Sequence, residues 1–241
     1  MRMLSSLSPI SPLLLLADAR FPAGGHAHSG GIEEAVARAV VEDVTTLGPF
    51  LAGRLATSGR VAAAAAGAVC ERSLRGLAAT DGCALRQLWL DVDAELDARY
   101  PSPAWRSASR TQGAQFLRGA LAVLGGPILR SLREHAPRSP HHAVAMGAAA
   151  AAAGLNPREA AVAVAYLSVA GPASAAVRLI GLDPFEITRA VAALMGEIDE
   201  IGIAAAQQAH LPLKELPAAA EPVSDLLAEA HLRRKECLFA S

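Results

Sequence analysis

The chain has 241 residues, of which 52% are hydrophobic, 4% aromatic and 19% charged, with a formal net charge of −1. That length permits one large domain or two small ones and buries a core without staples. The near-neutral balance gives no electrostatic reason to expect nucleic acid or an anionic membrane as the main partner, and abundant alanine with few strand formers points to an all-α fold.

In chain order, the first twenty residues hold a four-leucine run, Leu13–Leu16, interrupted upstream by Pro9 and Pro12. A signal peptide needs roughly seven to fifteen apolar residues together, so a short helix after Pro12 and a cytoplasmic protein are expected. Next comes "FPAGGHAHSGGIEEAV", Phe21 to Val36, the most unusual chemistry in the chain. Pro22, Gly24 and Gly25 suit a tight turn with positive φ. Gly30 and Gly31 let the chain enter a helix with Glu33 in its first turn. Glu33 and Glu34 there oppose a bound phosphate.

Helical periodicity then predicts helices near residues 32–40, 47–57, 60–77, 84–98, 104–123, 141–153 and 157–169. Two starts are marked by full cap signatures: Asn156-Pro157 with Glu159, and Asp183-Pro184 with Glu186. After the second, Ile187, Val191, Leu194, Ile198 and Ile201 recur at helical spacing, predicting one amphipathic helix of about five turns. Gly171-Pro172 reads as a break that makes a buried helix pair of residues 160–177 rather than a membrane span. Residues 210–222 read as a semi-extended linker, followed by a last helix over 222–235. The expected organisation is a single helical bundle of about ten helices over residues 1–209, with a linker and docking segment over 210–241.

The candidate chemistry is sparse. Lys214 and Lys235 are the only lysines and neither follows a GxxxxG, which excludes an ordinary P-loop; HExxH, GxSxG and GxGxxG are also absent. Cys70, Cys83 and Cys237 are odd in number and widely spaced, fitting a reducing compartment. His26 and His28 offer two imidazoles without a third or fourth ligand, so no permanent metal site is expected. His141 and His142 read as surface residues. A metal-dependent helical hydrolase using His26 and His28 is the alternative to a non-enzymatic role.

The signature turn resembles the N-terminal motif of the UreF family of urease accessory proteins, with Pro22, Gly24, Gly25, Ser29, Gly31 and Glu33 in matching places. His26, His28 and Gly30 depart from that pattern. "WRSASRTQGAQFLRGA", the alanine-rich stretch from His141 to Asp183, and the ending with Pro222, Asp225, His231, Leu238, Phe239 and Ser241 resemble the family in the same order. The resemblance implies an all-α homodimer with no cofactor of its own, working in an assembly that handles nickel and GTP. Its implied partners are a UreD/UreH-type accessory protein, the GTPase UreG and the urease apoprotein. Glu33, with His26, His28 and Ser29, is the expected surface for the GTPase or the metal path. Asp225, His231, Leu238 and Phe239 are expected to dock the UreD-type partner, rather than to pack on the chain's own bundle.

Overall fold

The computed structural model describes residues 10–18, 20–22, 28–78, 82–219, 221–234 and 238–239. Among them there are no strands, and the fold is all-α. The helices are α1 (Ile10–Ala17), α2 (Ile32–Ala37), α3 (Val44–Arg54), α4 (Arg60–Ala78), α5 (Gly82–Arg99) and α6 (Pro103–Val123). They continue as α7 (Pro127–His135), α8 (His142–Ala152), α9 (Pro157–Ile180), α10 (Pro184–Ala192), α11 (Met195–Gln208) and α12 (Pro222–His231).

Helices α4, α8 and α9 form the centre, with α11 against α4 and α9, and α6 against α8. Their buried faces are largely alanine and glycine, so the backbones meet closely. A Cβ on Gly147 of α8 would lie 2.5 Å from the carbonyl oxygen of Ala66 in α4, an approach open only to glycine. Two apolar clusters flank this centre. One gathers Trp89, Leu96, Phe116, Leu129 and Met146; the other gathers Ile32, Leu47, Leu51, Val169, Ile187, Ile198 and Phe239.

Both cap signatures act as expected. Asn156 Oδ1 accepts from Glu159 N at 3.1 Å while Glu159 Oε2 accepts from Asn156 N at 2.8 Å, and Asp183 Oδ1 accepts from Phe185 N at 2.9 Å. Four features differ from the sequence expectation. Helix α7 is absent from the predicted set; Pro127 at its first helical position leads it, and it buries Ile128, Leu129 and Leu132. The expected five-turn helix after Asp183 is two, α10 and α11, separated at Ala193-Leu194. Helix α3 runs into α4 through a π turn over Leu55–Gly59. Gly171-Pro172 does not split a helix pair: α9 continues through both for 24 residues.

The continuity of α9 has a specific cause. Proline at 172 lacks the N–H that would bond the carbonyl of Ser168 one turn earlier. Arg54 supplies the missing donor, its Nε donating to Ser168 O at 2.8 Å. By length and composition α9 is the one helix among the described residues able to cross a membrane, but 56% of its most apolar window is buried inside the bundle. The segment read as a linker is strapped down. The Arg99 guanidinium donates to the carbonyls of Leu213, Leu216 and Pro217 at 2.9, 3.2 and 3.1 Å.

Candidate functional site

The second half of the signature turn and the C-terminal segment come together. Gly30 and Gly31, at φ 61° and 87°, turn the chain through left-handed backbone into α2, and Gly31 takes the N-cap position without a side-chain cap. The turn leaves Ser29, Glu33 and Glu34 buried. Glu33 does not cap its own helix. Its Oε1 accepts the backbone N–H of Leu238 at 2.7 Å and its Oε2 that of Phe239 at 3.1 Å. His231, at the end of α12, places Nε2 3.1 Å from the carbonyl oxygen of Phe239 and 3.9 Å from Glu33 Oε2. Glu34 pairs with Arg38 at 2.7 Å and with Arg234 at 3.5 Å. The Phe239 ring is buried, with the Arg178 guanidinium 4.3 Å above it, whereas Leu238 is 78% exposed.

Helix α12 is also anchored to the start of α6. Ser102, the N-cap of α6, donates its hydroxyl to Glu229 at 2.6 Å and accepts from Trp105 N at 3.1 Å. Burial raises the Asp225 carboxyl above its usual range, with Glu221 and Glu229 adding to the shift and the Ser102 backbone and Arg106 opposing it. The outward face of α12 carries Val223, Leu226 and, just past the helix, Leu232, all exposed.

Elsewhere in the bundle lies a cavity of about 310 Å³ whose walls include His28, Arg54, Tyr100, Ser109, His142 and Arg178. Burial pulls His142 down to about 4, with His28 adding to the effect. The neighbouring His141 is fully buried, its Nε2 3.0 Å from Asp97 and its Nδ1 3.1 Å from Ser109. Burial also lowers His141 to about 4, against the opposing pull of Asp97. Burial alone would raise Asp97, but hydrogen bonds from Arg110, His141 and Arg138 outweigh it and hold the carboxyl at about 2. The surface reading of His141 and His142 is therefore corrected. They sit where α8 enters the bundle, and His141 joins α5, α6 and α8 through Asp97 and Ser109.

Among the described residues no group of three or more His, Cys, Asp or Glu side chains is arranged to hold a metal ion. His28 stands on the cavity wall, while Gly24, Gly25 and His26 lie outside the described residues.

The sequence model of the UreF family matches residues 41–195. Over 235 residues the chain is 41% identical to the urease accessory protein UreF of Mycolicibacterium vanbaalenii, covering 98% of this chain and 100% of that relative. The proteins of the same name from Mycobacterium sp. strain JLS and Mycobacterium tuberculosis strain H37Rv are 40% and 39% identical, with the same coverage. The chain belongs to the UreF family.

The UreF signature residues thus fall into two groups. Glu33, His231 and Phe239 meet in one contact that ties the first signature to the last. Pro22 and Leu238 are exposed, and Asp225 is partly buried on α12. The structure also singles out Arg54, Ser168, Arg178 and Asp97, none of which the sequence reading named as site residues. Arg54 had a signal in retrospect: a proline inside a long helix leaves a carbonyl that another side chain must satisfy.

Proposed function

We propose that this UreF-family chain is a non-catalytic accessory protein in urease maturation, helping to assemble the nickel metallocentre. In this reading it bridges a UreD/UreH-type protein and the nickel-carrying GTPase UreG, modulates GTP hydrolysis there, and works as a homodimer in the cytoplasm. Nickel is cargo of the assembly. The observation that carries the reading is the near-full-length likeness, at about 40% identity, to proteins named urease accessory protein UreF.

The surface of the C-terminal region supports a partner there. Helix α12 turns Leu227 and Ala228 into the bundle and keeps Leu226 outward at 71% exposure, close in sequence to exposed Val223 and Leu232. Leu238, held in place by Glu33, extends the apolar character of this end of the chain. An apolar surface of this kind gains from being covered. Docking therefore needs no detachment of Phe239: the tail stays on its own bundle and presents Leu238 from it.

The test is co-purification of the tagged full-length chain with a UreD-type protein and UreG, and urease activation in cells carrying the set. Wild type retains both partners, whereas Leu226→Asp with Leu238→Asp loses the UreD-type protein and activation while keeping the wild-type helical spectrum. Failure of the wild type to retain any component of urease maturation would overturn the proposal.

A further inference from the structure

Arg54 is 93% buried by its 7% relative exposure, yet its charge is not matched. Its Nε is committed to Ser168 O at 2.8 Å, and its Nη1 is buried without a hydrogen-bond partner. The guanidinium carbon lies over the Trp105 ring, 4.6 Å from its centre. Glu221 acts on it through space but makes no ion pair with it, and Glu221 Oε2 is itself buried without a partner. A guanidinium stays protonated in such a place, so an unpaired one is a large standing cost unless an anion compensates it.

The place for that anion adjoins it. Arg54 lines the cavity of about 310 Å³, at the lower end of the range of small-molecule sites. The π turn that follows Arg54 brings Ser58 and Gly59 onto the same wall, and such turns recur where backbone is shaped for a ligand. The charges on the walls favour an anion. Arg54 and Arg178 are cationic, and the one carboxylate among the described lining residues, Asp18, is already paired with Arg20 at 2.7 Å. The rest is mainly apolar, with Leu16, Phe21, Phe116 and Val164 contributing. A planar fork over an aromatic ring matches the two-oxygen edge of a carboxylate, and apolar walls suit a carbon body better than a bare inorganic oxyanion.

We propose that this cavity binds a free small organic carboxylate, with Arg54 as its counter-ion. The inference is independent of the partners assigned above and needs none of them for its test. The full-length chain is titrated calorimetrically with sodium benzoate and sodium acetate, and with benzyl alcohol as the neutral analogue of benzoate. Benzoate is expected to bind with one-to-one stoichiometry, more tightly than acetate and at least about tenfold more tightly than benzyl alcohol, the value of one charge-assisted hydrogen bond. Arg54→Gln should weaken benzoate by about tenfold or more. Because Arg54 also supports α9, two further variants keep the cation. Ala108→Leu narrows the cavity and should weaken benzoate, whereas Glu221→Gln removes the one carboxylate competing for Arg54 and should tighten it. Absence of benzoate binding to the wild type, equal binding of benzoate and benzyl alcohol, or weakening by Glu221→Gln would each overturn the proposal.

Discussion

Glu33 holds Phe239: the carboxylate of the signature turn accepts the backbone N–H of the buried C-terminal phenylalanine at 3.1 Å and that of Leu238 at 2.7 Å. Two hydrogen bonds to one charged acceptor, each worth about 1.5–3 kcal/mol when buried, fasten Leu238 and Phe239 together with the contact of His231 Nε2 to the Phe239 carbonyl. In Glu33→Ala the freed N–H groups regain water only if the tail lifts, so the loss is local. Trypsin cleavage after Arg233 and Arg234 should accelerate at least about tenfold through this opening, while the main thermal transition moves little. Unchanged cleavage kinetics in Glu33→Ala would show that Phe239 burial alone retains the tail.

Arg54 and Pro172 are coupled through a carbonyl neither owns. Ser168 O lacks a helical donor because residue 172 is proline, and Arg54 Nε fills the place. Arg54→Met leaves a part-buried carbonyl unpaired and removes the contact with Trp105, losses that outweigh the relief of an unpaired buried charge, so it should cost about 1 kcal/mol or more. Adding Pro172→Ala restores an amide N–H to α9 and should recover part of that loss. A double-mutant cycle by urea denaturation is expected to give a coupling of at least about 1 kcal/mol. Strict additivity would mean that the carbonyl finds another donor.

What the sequence made legible was mostly local. Asn156 and Asp183 announce their helices because a cap needs only residues within one turn, and the alanine-rich centre follows from composition. What stayed hidden depended on distant partners. Pro172 breaks a helix in isolation, and only Arg54, 118 positions earlier in the chain, makes it tolerable. His141 follows a proline at a helix start, which reads as surface until Asp97 and Ser109 close around it. Glu33 was legible as a special residue of the turn. Its acceptor role was not, because the donors are 205 and 206 positions away.

The two histidines at the start of α8 make stability depend on pH. Both are held at about 4 in the fold, below the ordinary value of 6.5. A depressed histidine binds its proton in the unfolded chain first, so its contribution is complete above pH 6.5 and is lost as pH falls toward 4. Each group's shift corresponds to about 3 kcal/mol across that window. Asp97, lowered from 3.8 to about 2, adds a separate loss only below pH 4. Chemical denaturation should show a plateau above pH 7 and a decline from 6.5 to 4, and His142→Phe should flatten about half of that slope. A flat profile from pH 7 to 4 would exclude buried neutral imidazoles.

Gly113 sets how closely α6 meets the entry to α8. A Cβ there would stand 2.0 Å from Pro140 O, 2.8 Å from the carbonyl carbon of His141 and 2.9 Å from His142 N. All three are backbone atoms, so no rotamer change can relieve the contact. The same junction carries Ser109, whose hydroxyl accepts from His142 N at 3.3 Å, and Arg110, which donates to Ser139 O at 2.7 Å and to Asp93 at 2.6 Å. Pushing α6 outward would therefore break the polar contacts that order His141 as well as the packing. Ordinary overpacking costs about 1–3 kcal/mol, and a clash with fixed backbone lies at or beyond the upper end. Gly113→Ala should lower the urea midpoint by the equivalent of about 3 kcal/mol or more, although alanine is the better helix former by about 1 kcal/mol. A variant as stable as the wild type would show that α6 and the residues before α8 are farther apart than this contact requires.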